Sequence, residues 1–375
     1  MKLLVACNDF SSMLTRLQGF LGKSQLSPIL SNVLLQADKG GTLTLSATDT
    51  EISFQGTITA QVSEAGSITV DGKRLLAMVR QFPAAEVALD SNANDELSLV
   101  SGRSRMSLLG INAGEFPLIS FGEKESFKVR GGALTDLFER TFFSISVSND
   151  ETRPQLTGAC LISKGDGIVR VVSTDGHRLS LAERYIGVEG APPIPEFAGK
   201  IVPRKAVLEL RKLLDEYPEV DMSVDDDHLV VKTNDFGINI RLIAHQFPAY
   251  EAVIPKSNDN VYIFDRTELL STLKRMGLVG EEKLHGVKLD FGGGEVEIES
   301  KNNNLGQVVE RLSCLEGSSD QELVVGFGVH YMIDVLNVVS GAEIHICLDQ
   351  NDSTPGLFKD PEFEEDVFVV MPKRL

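Results

Sequence analysis

Cysteine is scarce in this sequence, and the four cysteines stand far apart. Cys7, Cys160, Cys314 and Cys347 form no C-x-x-C pair, and no histidine lies at the spacing that a zinc site needs. We therefore expect buried, reduced thiols rather than disulfides. The sequence predicts no metal site, no cofactor and no redox chemistry.

Long apolar runs are also missing. The N-terminal segment MKLLVACNDFSS has an apolar run too short for a signal peptide, and no later stretch approaches the roughly 18 apolar residues of a membrane span. The prediction is a cytoplasmic protein with no membrane partner. With 375 residues, of which 42% are hydrophobic and 24% charged, the chain is long enough for two or three hydrophobic cores.

The motifs of several enzyme classes are absent. The sequence contains neither G-x-G-x-x-G nor H-E-x-x-H. Gly22-Lys23-Ser24 resembles the end of a P-loop, but Leu17 stands where that loop needs a glycine, and the segment ends a predicted helix rather than following a strand. Asp175 and His177 have no accompanying nucleophile or metal cluster. We therefore expect a protein that is not an enzyme.

Positive charge is in the minority, with 36 Lys and Arg against 54 Asp and Glu and a net charge of −18. This balance argues against a nucleic-acid partner, but the charge is unevenly distributed. The segments of the six predicted helices carry a summed charge of +5, so the rest of the chain carries −23. These segments are Asn8–Lys23, Asp71–Phe82, Gly131–Ser144, Pro203–Leu214, Asp265–Met276 and Gly328–Ser340.

The most basic helix is predicted in Val202–Leu214, VPRKAVLELRKLL. At 100° per residue its apolar and basic residues fall on opposite sides. The basic side consists of Arg204, Lys205, Arg211 and Lys212. Many such stripes are only solvated surface. The pattern recurs, however, in Val70–Phe82, where the basic residues are Lys73, Arg74 and Arg80, and again without positive charge in Val324–Val339. A concave surface built from such helices would attract phosphates while the acidic remainder repels them.

A repeat of about 128 residues organises the chain. Asn32, Gly158 and Gly286, which begin equivalent predicted strands, are separated by 126 and 128 residues. Each unit has alternating segments joined by hairpin turns and two amphipathic helices. The predicted fold is therefore α+β, with three repeated domains at 1–124, 125–255 and 256–375. Each domain should have an antiparallel sheet outside and two helices inside.

Several motifs carry a resemblance to a known family. Ser173–Leu179 (STDGHRL), the VPRK start of the basic helix, Phe247-Pro248-Ala249-Tyr250 and the terminal Val369–Leu375 occur in its order and at its spacing. The chain resembles the bacterial DNA polymerase III beta subunit, the sliding clamp, from end to end. The resemblance implies a processivity factor of DNA replication: a head-to-tail homodimer that closes a six-domain ring around duplex DNA. The candidate contacts to DNA are then Lys23, Lys73, Arg74, Arg80, Arg204, Lys205, Arg211 and Lys212.

The resemblance also implies a peptide-binding cleft between the second and third domains. There the polymerase III alpha subunit, the clamp loader delta subunit and other partners would insert a short motif containing Gln and Leu or Phe. The implied cleft residues are Arg153, Leu156, Thr174, Gly176, His177, Arg178, Leu179, Pro248, Val253, Tyr331, Val369, Met371, Pro372 and Arg374. This chain departs from the family pattern at Lys373, Gly328 and Ala252, where Met, Asn and Arg are familiar.

A dimer interface is expected between the first domain of one chain and the third domain of its partner. Its predicted residues are Arg103, Arg105, Met106, Leu108, Leu278 and Val279, and charge complementarity suggests Glu295, Glu297 and Glu299 as acidic partners. An acidic protein that binds only other proteins stays open as an alternative. Asp349–Asp366 reads as an acidic insertion before the last strand, with no function assigned to it.

Overall fold

One order of elements occurs three times in the computed structural model. The structure describes residues 1–22, 27–117, 121, 125–147, 152–256, 258–279, 286–302 and 304–374. Each repeat runs from a first strand into a helix, through a group of strands into a second helix, and then through three closing strands. The first repeat has one additional short strand.

The first repeat comprises β1 (Lys2–Ala6), α1 (Cys7–Arg16), β2 (Asn32–Ala37), β3 (Thr42–Thr48), β4 (Ile52–Thr59), β5 (Gln61–Glu64), β6 (Gly66–Asp71), α2 (Gly72–Val79), β7 (Glu86–Ser91), β8 (Glu96–Ser101) and β9 (Ser104–Ile111). The second comprises β10 (Phe127–Val129), α3 (Gly131–Phe142), β11 (Gly158–Ser163), β12 (Ile168–Thr174), β13 (Arg178–Tyr185), β14 (Phe197–Pro203), α4 (Arg204–Leu214), β15 (Val220–Val224), β16 (His228–Lys232) and β17 (Phe236–Arg241). The third comprises β18 (Asn260–Asp265), α5 (Arg266–Met276), β19 (Gly286–Gly292), β20 (Glu295–Asn302), β21 (Gly306–Ser313), β22 (Leu323–Gly328), α6 (Val329–Val338), β23 (Glu343–Leu348), β24 (Gly356–Asp360) and β25 (Phe363–Val370).

The apolar faces predicted for the helices are the faces that pack. On α2, Leu75, Leu76 and Val79 are buried, and on α4 the buried apolar residues are Ala206, Val207, Leu210 and Leu214. Asp71 begins α2 by accepting a hydrogen bond from the Arg74 N–H at 2.8 Å, which satisfies a donor that has no partner within the helix. All six predicted segments contain an α-helix, and five of them differ from the observed bounds by at most three residues at either end. The exception is the first: α1 ends at Arg16 and a 3-10 turn follows at Leu17–Phe20, whereas the predicted segment ran to residue 23.

The chain divides into two compact units. One unit contains Met1–Gly132, Val188–Pro192 and Lys212–Leu242, and the other contains Ala133–Gly187, Pro193–Arg211 and Ile243–Leu375. In the first unit, β17 of the second repeat pairs antiparallel with β4 of the first, so that one 13-stranded sheet runs through both repeats. In the second unit, β13 pairs antiparallel with β25 of the third repeat within an eight-stranded sheet. Strand pairing across the repeat boundaries therefore joins neighbouring repeats.

Four hairpin strands form the remaining sheet of the second unit, in the order β21-β20-β19-β22. Glu295, Glu297 and Glu299 lie on β20, which is paired on both sides, while β21 forms the edge. Arg311 of β21 binds Glu297 with an N–O distance of 2.8 Å. The acidic strand suggested from sequence is therefore an interior strand, and one of its carboxylates already has a cationic partner.

The interpretation of Asp349–Asp366 as an insertion is wrong. This segment contains β24 and the start of β25, which are two of the three closing strands of the third repeat. β24 pairs with both β23 and β25. The acidic residues suggested an exposed segment, but the side chains of Asp360 and Asp366 are buried, at 0% exposure each. Both carboxylates belong to an ion-pair network, which the composition alone does not indicate.

Two negative findings hold for the described residues. No helix among them is both long enough and apolar enough to cross a membrane. Within the same parts of the chain, no group of three or more His, Cys, Asp or Glu side chains is placed to hold a metal ion.

Candidate partner-binding groove and basic helix faces

A cavity of about 870 Å³ lies in the second compact unit, between elements of the second and third repeats. The end of α3, the turn between β12 and β13, and α6 contribute most of its walls. Its lining residues are Phe142, Phe143, Ser146, Val147, Arg153, Leu156, Asp175, His177, Arg178, Arg204, His330, Tyr331 and Asp334. We call this cavity the groove.

The turn at Asp175–His177 is fixed by its own side chains. The Asp175 carboxylate accepts hydrogen bonds from the N–H groups of His177 and Arg178 at 2.9 and 3.0 Å. The Thr174 hydroxyl donates to the Arg178 carbonyl at 2.7 Å and accepts from the Gly176 N–H. Gly176 has a φ of +86°, a conformation that favours glycine. Asp175 and His177 therefore form a structural turn, and the turn presents His177 to the groove.

Arg178 is the central side chain of the groove, and every edge of its guanidinium group has a partner. It donates to the Asp175 carboxylate at 3.1 Å, to the Phe143 carbonyl at 2.7 Å and to the Asp334 carboxylate. Its guanidinium carbon also lies 4.6 Å from the centroid of the Tyr331 ring. Such a paired cation over an aromatic face fixes the position of both groups.

Helix α6 places three side chains on this wall of the groove. His330, Tyr331 and Asp334 are adjacent on the helix surface because residues three and four apart face the same way. The rings of Tyr331 and His177 are nearly parallel, at 13°, with their centroids 6.0 Å apart. Burial raises the pKa of the Tyr331 hydroxyl, and the Asp175 and Asp334 carboxylates add to the rise against the opposing effect of Arg178.

Arg204 lies in the groove rather than on a free basic face. Its guanidinium donates to the carbonyls of Phe142 and Ile145 at 3.0 and 2.8 Å, and lies 4.0 Å above the Phe142 ring. Phe142 is the last residue of α3, where backbone acceptors have no partner within the helix, and Ile145 lies three residues beyond it. Burial lowers the pKa of Arg204, and the positive charges of Arg178 and Arg211 lower it further. Arg204 therefore has partners within the protein, and its contact with a phosphate stays a prediction.

Arg211 is also engaged. It forms an ion pair with Glu139 of α3, and its guanidinium carbon lies 4.4 Å from the centroid of the same Phe142 ring. Its side chain is only 19% exposed. Of the four basic residues predicted on α4, Arg204 and Arg211 thus have partners within the protein, while Lys205 is half-buried and Lys212 is exposed. Their contacts with DNA stay predictions.

The basic face of α2 is as the sequence predicts. Lys73, Arg74 and Arg80 are exposed, and Arg80 also donates to the Thr15 hydroxyl at 3.0 Å. Lys23, the remaining predicted DNA contact, lies outside the described residues.

The predicted cleft residues differ in where they lie relative to the groove. Arg153, Leu156, His177, Arg178 and Tyr331 line the groove, and Thr174 and Gly176 shape its turn. Leu179 and Val369 are paired on neighbouring strands and lie in an adjacent buried apolar cluster, at 3% and 1% exposure. The remaining predicted positions do not belong to the described lining of this cavity: Pro248, Val253, Met371, Pro372 and Arg374. The Met371 N–H nevertheless donates to the His177 carbonyl at 2.9 Å, which holds the end of the chain beside the turn.

The sequence reasoning missed six lining residues in addition to the two acids that bind Arg178. Phe142 ends α3, and Phe143 and Val147 lie just beyond it. An aromatic pair at the end of a predicted helix, ahead of a polar segment, is a sequence signal that could have indicated this part of the groove. Asp334 stands three residues after Tyr331, so helical spacing alone would have placed it on the same wall. The place of Arg204 in the groove has no local sequence signal, because its carbonyl partners lie about 60 residues earlier in the chain.

Comparison with known families covers the chain in three consecutive parts. The models for the N-terminal, central and C-terminal domains of the DNA polymerase III beta subunit match residues 1–120, 128–249 and 251–374. The beta sliding clamp of Caulobacter vibrioides is 32% identical over 382 residues, with full coverage of both chains. This chain belongs to the family of bacterial DNA polymerase III beta subunits.

Solved structures agree with this assignment. The structure of the DNA polymerase III beta subunit from Pseudomonas aeruginosa covers the whole of both chains with a TM-score of 0.90 at 28% identity. A sliding clamp from Bartonella birtlesii, solved bound to griselimycin, has a TM-score of 0.91 at 30% identity and also covers both chains in full. The predicted fold of three clamp domains and the predicted family are confirmed. The chain is a DNA polymerase processivity factor and not an enzyme.

Proposed function

We propose that two copies of this chain close head to tail into a ring that encircles duplex DNA and slides along it. Three consecutive clamp domains in one chain are the observation that carries the proposal, since two such chains supply the six domains of a ring. A ring that encloses duplex cannot leave it sideways, so weak contacts to phosphates are sufficient. The exposed cations Lys73, Arg74 and Arg80 of α2 suit this role, together with Lys205 and Lys212 of α4.

The groove is the proposed site for partner proteins. It combines an apolar floor of Phe142, Phe143 and Leu156 with fixed polar groups around Arg178, which suits a short peptide with apolar anchors. Its partners would be the polymerase III alpha subunit, the clamp loader delta subunit and other proteins with a motif containing Gln and Leu or Phe. The domain boundaries near 124 and 255 also remain proposals.

For the proposed dimer interface, one residue on β9 is exchanged for its neighbour. Arg103 and Arg105 are exposed and Met106 is half-buried, but Leu108 is only 7% exposed because its side chain faces the domain core. The neighbouring Leu109 is 82% exposed and replaces Leu108 in the proposal. On the third repeat, Leu278 is 79% exposed while Val279 is 8% exposed, so Leu278 is the better candidate contact.

Retention on DNA of different topology tests the ring. A cognate clamp loader with ATP first loads the protein onto circular DNA. The complexes are washed at high salt, and the DNA is then either kept circular or cut once. A sliding ring stays on the circles and leaves the linear molecules. Equal loss from both, with a control clamp loaded normally, would overturn the ring and favour a scaffold that binds only proteins.

A further inference from the structure

Gly328 provides the space in which the Tyr331 ring lies. It is the residue immediately before α6, and a Cβ atom added to it would lie 2.8 Å from Tyr331 Cδ2 and 3.2 Å from Cε2. Both atoms belong to a rigid ring, so the clash cannot be relieved by moving the end of a flexible chain. Any larger residue at position 328 therefore requires the whole ring to move.

Conformational freedom of the backbone does not explain this glycine. Gly328 has φ −70° and ψ 119°, an extended conformation that any residue adopts. The constraint at this position is thus the space above the backbone, and that space is filled by Tyr331.

The position of the ring is coupled to the rest of the groove. Tyr331 stacks on His177 and lies under the Arg178 guanidinium, which in turn binds the Asp334 carboxylate one helical turn further along α6. A displaced ring would lose the stacking on His177 and the cation contact with Arg178, or would enter the cavity. Either movement changes the shape of the groove wall.

We infer that Gly328 is a specificity-determining residue of the groove, acting through the position of the Tyr331 ring. Gly328 is buried and does not belong to the described lining of the groove, so it would select by fixing the aromatic surface on which a peptide side chain packs. This inference rests on the proposed partner-binding function of the groove.

A double-mutant cycle tests the inference, with a fluorescein-labelled peptide containing the Gln, Leu and Phe of the family motif as the probe. We expect Gly328→Ala to raise the peptide Kd at least about fivefold in the full-length protein, as a wall residue is forced out of place. In a Tyr331→Ala background the same glycine substitution should leave the Kd unchanged within about twofold. Gly132→Ala is the matched control, because its added methyl group would meet no atom within 4 Å.

The outcomes separate the inference from the function on which it rests. A wild-type chain that fails to bind the peptide overturns the groove as a partner site, and this inference with it. If the wild type binds and Gly328→Ala has no effect, or the same effect in both backgrounds, only the role of Gly328 is overturned. A crystal structure of Gly328→Ala gives a readout that needs no peptide: the ring should be displaced from Arg178, and an unmoved ring would contradict the inference.

Discussion

Arg140 and Asp366 form a buried ion pair across 226 residues of sequence, with 2.7 Å between Nη1 and Oδ2. Arg140 also binds Asp360 at 3.1 Å and donates to the Ser340 hydroxyl at 2.6 Å. A second arginine, Arg184, donates to both carboxylate oxygens of Asp366. Since Arg140 lies on α3 and the two aspartates lie on β24 and β25, the network attaches the second repeat to the third within one compact unit.

Loss of Arg140 should be among the most destabilising single changes in this unit. Arg140→Met leaves the carboxylates of Asp360 and Asp366 buried at 0% exposure with fewer cationic partners. Removing one member of a buried pair costs about 3–5 kcal/mol. We expect a reduction of that size in the free energy of unfolding, measured by chemical denaturation. Arg311→Met is the control: its pair with Glu297 is exposed, so its effect should stay below about 1 kcal/mol.

The ionised Asp360 carboxylate makes the free energy of unfolding depend on pH in the acidic range. Burial by itself raises its pKa, but the N–H groups of Ser340 and Glu362 and the Arg140 guanidinium outweigh burial, so the pKa lies below its usual value of 3.8. A carboxyl group whose folded pKa is lowered stabilises the protein fully above the unfolded pKa, and this contribution is lost as the pH falls through the folded pKa.

Asp360→Asn should therefore change the pH profile of stability. We expect a lower free energy of unfolding at pH 7 and a shallower loss of stability below about pH 3.8 than in the wild type. Denaturant titrations between pH 2 and pH 7 measure both. Asp290→Asn, at an exposed pair with Lys288, is the comparison and should leave the slope nearly unchanged. Parallel wild-type and Asp360→Asn profiles in acid would contradict the assignment.

Most elements of the fold can be predicted from local sequence patterns. The six helices follow from apolar residues at helical spacing, and the hairpin turns follow from alternating segments separated by turn residues such as Gly41, which has a φ of +86°. These features depend on residues within one or two turns of each other, which is why the sequence predicts them.

The groove was harder to predict because its contacts join distant residues. The charge of Arg204 is visible in the helix pattern, whereas its binding of the Phe142 and Ile145 carbonyls is a property of the tertiary structure. The same holds for Arg211, which is neutralised by Glu139 on another helix. Periodicity identifies the face of a helix, but it does not show whether another element covers that face.

Dimerisation should depend on Leu109. Its side chain is 82% exposed on β9, and Leu109→Asp would place a charge where the proposed interface needs an apolar contact. Burial of a leucine contributes about 1.5–3 kcal/mol, so the dimer Kd should rise tenfold or more. Sedimentation equilibrium measures this change. Tyr185→Asp alters a half-exposed side chain on the second repeat and should leave the dimer intact; an unaffected Leu109→Asp dimer would exclude this edge of β9.

Thiol reactivity should follow burial. Burial raises the pKa of the Cys160 thiol to about 12, with a smaller contribution from Glu251, so almost no thiolate is present at pH 8. We expect Cys160 to resist a disulfide reagent in the native protein, while the half-buried Cys314 reacts first. Mass spectrometry of the labelled peptides distinguishes the sites, and full labelling in denaturant is the control. Rapid native labelling of Cys160 would contradict its burial.

Contact with DNA should distinguish the exposed cations from the paired ones. Arg74 is exposed on α2, so Arg74→Ala should remove a phosphate contact and reduce the slope of log K against log salt concentration by about 0.9. Arg211 is already paired with Glu139 and stacked on Phe142, so Arg211→Ala should leave that slope nearly unchanged. Fluorescence anisotropy of a short labelled duplex at several salt concentrations measures both. Equal losses for the two variants would mean that the Glu139 pair opens when DNA binds, and the basic face of α4 would then be as wide as its sequence pattern predicts.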